Sequence, residues 1–156
     1  MTNLLVMSAF AFILVLSSCS KETVEPEPAD QVLGVYNGTT YSESLNGIEQ
    51  SIDLTNDAIK NDLTISMEVA KKSANVISIV LQIAQRDSIG TMQTSSSTYE
   101  TLDLKSIGNG DFDIQNGGIS IGQIGNGILK LQESYSDTDS NGNTVQVAVT
   151  IAAKKS

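Results

Sequence analysis

From Val32 onward the chain alternates apolar and polar residues with a period of two. Asp62-Leu63-Thr64-Ile65-Ser66-Met67-Glu68-Val69 does so without a break. Successive side chains of a strand point to opposite faces, so Leu63, Ile65, Met67 and Val69 are expected to line one buried face. Lys71-Lys72-Ser73-Ala74 reads as a connection. In the next run Ile77, Ile79, Leu81 and Ile83 share a face, with Val76 and Val80 on the other, and the two runs suit an antiparallel hairpin. A second hairpin is expected from Ile128-Leu129-Lys130-Leu131-Gln132-Glu133-Ser134-Tyr135 and the run in which Val145, Val147, Val149 and Ile151 alternate with polar or small residues. Weaker strand signals cover 33–41, 48–54, 98–104 and 112–114, and 48–59 also fits a short helix because Ile48 and Ile52 have helical spacing. About seven to nine strands with polar turns between them predict an all-β antiparallel fold, an up-and-down barrel or a sandwich. No stretch alternates strand with helix, which disfavours a doubly wound parallel sheet.

The first eighteen residues follow another pattern. Residues 4–16 form an apolar run of thirteen, broken only by Ser8. A spanning helix needs about twenty such residues, whereas the core of a secretory signal needs roughly 7–15. Leu16-Ser17-Ser18-Cys19 closes the run with the only cysteine of the chain. The order of a branched apolar residue, two small residues and a cysteine resembles the lipobox of bacterial lipoproteins. That resemblance implies diacylglycerol on the Cys19 thiol, cleavage before Cys19 and acylation of the new amino group. The expected organisation is a signal peptide over 1–18, a tether over 19–31 and a β domain over 32–156.

In the tether, Pro26 and Pro28 alternate with acids, a composition that favours an extended spacer. Lys21-Glu22 after the cysteine resembles the surface-export signal of Bacteroidota lipoproteins, with Thr23 in place of the second acid. Ser20 is similar to the residue that sorts lipoproteins to the outer membrane. The resemblance implies an outer-membrane lipoprotein facing the periplasm or the surface, held to the membrane by its anchor.

Gly34-Val35-Tyr36 resembles the Gly-x-Trp opening of lipocalins and other calycins, with Tyr36 in the Trp position. Small Bacteroidota lipoproteins open similarly, with a Gly-x-Tyr-x-Gly run like the one ending at Gly38. Where calycins usually carry an arginine near the end of the last strand, this chain has Lys154 and Lys155. A lipocalin-like barrel is therefore the expected form of the β domain, and a small apolar ligand the occupant it implies.

Charge and composition narrow the chemistry. Eighteen acids against nine bases give a net charge of −9. An acidic surface repels phosphate backbones, which argues against nucleic-acid binding. With one cysteine no intramolecular disulfide can form. With no histidine, and Cys19 committed to lipid, Ser–His and Cys–His nucleophile pairs are excluded. Asp111 and Asp113 share a face at strand spacing, but acids beside glycine-rich turns are usually solvated. No phosphate-binding or dinucleotide-binding glycine motif is present. No enzyme activity and no cofactor are expected.

Two further motifs concern turns. Ile107-Gly108-Asn109-Gly110 recurs as Ile124-Gly125-Asn126-Gly127. Asn-Gly adopts positive φ readily and marks tight hairpins, so two similar turns are expected around a glycine-rich ribbon. Asp137-Thr138-Asp139-Ser140-Asn141-Gly142 matches the opening of an EF-hand loop, making Asp137, Asp139 and Asn141 candidate Ca²⁺ ligands. The twelfth position, where a bidentate Glu belongs, is Ala148. The expected function is non-catalytic binding. The alternative is a structural module that recognises a protein or envelope component through a sheet edge or loops.

Overall fold

The computed structural model describes residues 25–139 and 141–156. Leu16, Ser17, Ser18 and Cys19, the signal segment and the first part of the tether, residues 19–24, lie outside the described residues. Among the described residues nine strands form one antiparallel sheet: β1 (Gly34–Leu45), β2 (Ile48–Asp53), β3 (Leu63–Ser73), β4 (Val76–Arg86), β5 (Met92–Gly108), β6 (Asp111–Asn116), β7 (Ile119–Gly125), β8 (Ile128–Thr138) and β9 (Thr144–Lys155). The sheet closes through β1–β9 pairing, so β1 and β3 to β9 make an eight-stranded barrel and β2 is an extra strand. The fold is all-β and antiparallel, as the alternation predicts, and of the two forms that reading leaves open it is the barrel, consistent with a lipocalin-like barrel. Of the two readings of the 48–59 stretch, the strand applies to β2 and a helix, α2 (Asp57–Lys60), follows it.

β1 serves two neighbours on one edge. Its first residues, Gly34 to Asn37, pair with β3, and its later ones, Thr40 to Leu45, pair with β2. Gly38 makes the changeover possible: a Cβ there would come 3.0 Å from both Ile65 Cβ and Leu54 Cδ1. The short β6–β7 hairpin covers only part of the neighbouring strands. β6 pairs with β5 from Asp103 onward, and β7 pairs with β8 only over Ile128 to Leu131.

The two ends of the barrel differ. At one end lie the Ala74-Asn75, Asn109-Gly110 and Asn126-Gly127 turns. The interior there is filled by Tyr36, Met67, Val69, Ile77, Ile79, Leu102, Leu104, Phe112, Ile114, Ile124, Leu129 and Leu131, all buried. Both expected Asn-Gly turns form, with Asn109 at φ 56° and Asn126 at φ 49°, and Asn46-Gly47 makes a third. The Asn126 side chain donates to the Asn109 carbonyl and so ties the two repeats together.

This end is plugged by α1 (Pro28–Val32), which corrects the expected boundary. Ala29, inside the expected tether of 19–31, is buried in the core together with Val32, the first residue of the expected domain. The Ala29 N–H donates to the Ala74 carbonyl at 3.0 Å, and Lys71 pairs with Glu27 and Asp30 at 2.7 and 2.8 Å. Pro28, expected to keep the chain extended, sits in the first turn, where its fixed φ suits a helix and its missing N–H costs nothing.

Tyr36 is 1% exposed and its hydroxyl donates to the Val32 carbonyl at 2.8 Å, locking α1 against β1. Lys155 is its cross-strand partner on β9, so a lysine stands beside the aromatic residue. Tyr36→Phe is expected to lower stability by about 1 kcal/mol, the net value of a buried hydrogen bond. The shift of the urea midpoint at unchanged slope measures it.

Candidate functional site

At the other end Leu45, Ile48, Ile52 and Tyr135 are exposed while Val145 and Val147 of β9 are buried, and the register defines what lines it. Cross-strand partners share a face, and Ile151 and Leu131 are buried, so their rows can be followed around the wall. Ile52, Tyr41, Ile151 and Leu131 form one row across β2, β1, β9 and β8. Gln50, Glu43, Val149 and Glu133 form the next, and Ile48, Leu45, Val147 and Tyr135 the outermost. A polar row therefore lies between two apolar ones on the inward face.

On β1 and β2 this face bounds a groove of about 320 Å³, lined by Tyr41, Glu43, Leu45, Ile48, Gln50 and Ile52. Its apolar side chains are exposed: Leu45 by 47%, Ile48 by 72% and Ile52 by 38%. Tyr135, from β8, is exposed by 50%. Aliphatic surface of this kind, gathered in one concavity, is the usual mark of a binding surface.

The Tyr41 hydroxyl donates to Glu43 at 3.5 Å. Burial, the Glu43 charge and the neighbouring Tyr135 all raise the Tyr41 pKa. Tyr99 of β5 donates to Glu133 of β8. Burial foremost, then this bond to a carboxylate, raises the Tyr99 pKa as well. The Tyr99–Glu133 pair bridges the barrel behind the short β6–β7 hairpin. Beside it, where β7 stops pairing with β8, a cleft of about 660 Å³ opens between Ile119, Ser120 and Ile121 on one side and Gln132, Glu133, Ser134 and Tyr135 on the other.

The acidic loops have a structural explanation. Asp139 Oδ1 accepts the N–H groups of Asn141 and Asn143, each at 2.8 Å, and Oδ2 accepts Asn143 Nδ2 at 3.1 Å. Asp87 does the same in the β4–β5 loop, accepting the N–H groups of Ile89 and Thr91 and the Gln93 amide. In both loops the Asp N–H donates to the residue four positions on, and a glycine at positive φ, Gly90 or Gly142, donates back to the Asp carbonyl. Asp139, Asn141, Gly142 and Asn143 thus repeat the hydrogen bonds that Asp87, Ile89, Gly90 and Thr91 make.

Of the candidate Ca²⁺ ligands, Asp139 carries the turn and Asp137 lies at the inward position opposite Val145. Asn141 contributes its backbone N–H to Asp139. Among the described residues no group of three or more acids gathers as a metal would require. Asp111 and Asp113 are engaged separately, Asp111 with Asn126 and Asp113 with Ser120 and Gln115.

Hydrogen bonds from the loop backbones hold the Asp87 and Asp139 carboxyls below their ordinary value of 3.8. Their contribution to stability is therefore present above that value and lost as pH falls through it. The melting temperature is expected to drop below about pH 4, with a shallower drop in the Asp87→Ala/Asp139→Ala double variant.

The sequence did not single out Tyr41, Glu43, Leu45, Ile48, Gln50, Ile52 or Tyr135 as site residues. The available signal was Asn46-Gly47 between Leu45 and Ile48, a tight turn that puts these two on one face. Fold and site together define an eight-stranded antiparallel barrel, filled at one end and bearing an apolar groove in its open mouth. Comparison with protein-family models, curated proteins and solved structures gave no match. Among the described residues no helix is long and apolar enough to cross a membrane.

Proposed function

We propose that the chain is an outer-membrane lipoprotein, anchored through Cys19, whose barrel binds a small apolar ligand at its open mouth without catalysis. The groove of Tyr41, Leu45, Ile48 and Ile52 is the observation that carries this reading. A filled closed end leaves no room to engulf a ligand whole, so the mouth takes an apolar group rather than the barrel enclosing a molecule. The Leu16-Ser17-Ser18-Cys19 sequence supports the anchor, and two or three acyl chains would hold stably where one binds marginally. The tether precedes α1 at the closed end, so the mouth would face away from the membrane.

The alternative, a module recognising a protein or envelope component, draws its support from the β7–β8 cleft. There the edges of Ile119 to Ile121 and Gln132 to Tyr135 make no strand pairing with each other, and open edges are templates for added strands.

Native purification followed by mass spectrometry tests both parts of the proposal. The wild-type protein is expected to carry an acylated N-terminal Cys19 and to retain an apolar small molecule. Cys19→Ser is expected to abolish acylation and membrane retention. An unchanged mass and membrane fraction for that variant would overturn the anchor. A small molecule retained equally by Leu45→Ser and Ile48→Ser variants would overturn the mouth as its site.

A further inference from the structure

We infer that the mouth selects an organic cation: an aryl or alkyl group that lies on the apolar rows, with an ammonium head on the polar row between them. The inference rests on the mouth being the ligand site and adds the charge of its occupant.

Charge complementarity argues for it. The groove itself is lined by four apolar or aromatic residues, one amide and one charge, Glu43. Glu133 lies on the same row, separated from Glu43 by Val149 on the intervening strand. At strand spacings of about 4.8 Å, the two Cα atoms are roughly 10 Å apart on one face. A head group placed over Val149 would be within reach of both carboxylates. Asp137, further out on β8, adds a third negative charge on the same face.

Among the described residues no basic side chain pairs with them. Of the described lysines and arginines, Lys71, Lys72, Lys105, Lys154 and Lys155 belong to the closed half, and Lys130 lines the β7–β8 cleft from the strand face opposite to that of Leu129, Leu131 and Glu133. The open half has only Lys60 and Arg86. Lys60 is paired with Asp57. Arg86 is held by Asp62 and by the carbonyls of Asn61 and Gly90. Among the described residues no ion pair involves Glu43, Glu133 or Asp137; the first two accept hydrogen bonds from the hydroxyls of Tyr41 and Tyr99.

The aromatic residues point the same way. Tyr41 and Tyr135 flank the polar row from the rows on either side, and a ring face attracts a cation within about 6 Å of its centre. A carboxylate pair between aromatic and aliphatic rows suits a quaternary or primary ammonium on an apolar body. It penalises a fatty acid or any other anionic amphiphile, whose head would meet Glu43 and Glu133.

Three probes with one apolar body and different heads test the inference: 4-phenylbutyltrimethylammonium, 4-phenylbutanol and 4-phenylbutanesulfonate. Each is titrated into the full-length protein in detergent with the micelle blank subtracted, and binding is followed by NMR. The ammonium probe is expected to bind about tenfold more tightly than the alcohol, and the alcohol more tightly than the sulfonate. Glu43→Gln and Glu133→Gln are each expected to reduce the ammonium affinity severalfold and the alcohol affinity by much less, so that the ratio of the two falls. Gln keeps an oxygen that can accept from Tyr41 or Tyr99, so an unchanged melting temperature is expected for Glu43→Gln and a slightly lowered one for Glu133→Gln, which loses the charge from the Tyr99 bond; a cooperative transition in both serves as the check on folding. Added salt is expected to weaken the ammonium complex alone.

Equal binding of ammonium and alcohol would overturn the inference and leave the apolar mouth standing, as would a cation preference that survives both Gln variants. Failure of all three probes, or binding of the alcohol that Leu45→Ser does not weaken, would overturn the apolar mouth itself.

Discussion

Replacing Gly122 by alanine is expected to cost on the order of 3 kcal/mol or more, at the upper end of what overpacking does. Gly122 lies in β7 between Ile114 of β6 and Leu131 of β8. A Cβ there would collide with the Lys130 carbonyl oxygen, with the Leu131 Cα only 3.1 Å away. The obstacle is main chain, and it cannot retreat because Lys130 is paired with Ala152 on its other side. Relief would have to come from separating β7 and β8, whose pairing is already limited to Gly122, Gln123, Ile124 and Gly125. Loss of that contact would widen the cleft beside Ile119 and Ile121 and open the wall of the packed half. A large fall in the urea midpoint is the expected measurement. Gly47→Ala is the informative comparison: no atom lies within 4 Å of its Cβ position, so only the positive φ of 84° is penalised, about 1–2 kcal/mol.

Leu129→Ala is expected to lower stability by about 2–5 kcal/mol. Leu129 is fully buried, between Ile124 of β7 and Ala153 of β9. The strands around it are paired on both sides, so the backbone can close little of the space vacated. Against a total stability of about 5–15 kcal/mol, such a loss is readily seen in thermal or urea unfolding. Leu45→Ala at the mouth is the contrast: a half-exposed leucine at a hairpin end is expected to change stability by no more than about 0.5 kcal/mol. If Leu45→Ala proved as costly as Leu129→Ala, the mouth would belong to the core and be unavailable to a ligand. The same chemical change thus separates residues that hold the barrel from residues that are free to bind.

Much of the fold was legible in the sequence, for a physical reason that also explains what was not. β3, β4, β8 and β9 show continuous alternation because one of their faces lies in the packed core. β7 went unseen because glycine occupies two of its seven positions, Gly122 and Gly125, where neighbouring backbone comes too close for a side chain. The first half of β5, Met92-Gln93-Thr94-Ser95-Ser96-Ser97, has no apolar alternation because its inward face lines the open end rather than the core. α1 is five residues long, too short for its buried pair, Ala29 and Val32, to establish a helical period.

The mouth was not legible because it belongs to no single stretch. Tyr41, Glu43 and Leu45 become neighbours of Tyr135 and Val147 only through the β1–β9 and β9–β8 registers. The EF-hand-like run was legible as an acidic loop, but its purpose became clear only from its counterpart at Asp87, which makes the same turn without the preceding acid.

The seam between β1 and β9 also bears on how the chain reaches this form. Asn37 and Ser156 touch across it at 2.8 Å although 119 positions separate them. Hairpins such as β3–β4 and β8–β9 can form locally within microseconds. The seam must wait until both partners are present, and contacts so distant in sequence slow folding to the millisecond-to-second range. A chain emerging from its N-terminus therefore carries β1 with one edge unsatisfied until β9 arrives. Until then it is an open ribbon, threadable and vulnerable to proteases, and its resistance to digestion should appear all at once, with the arrival of the final strand.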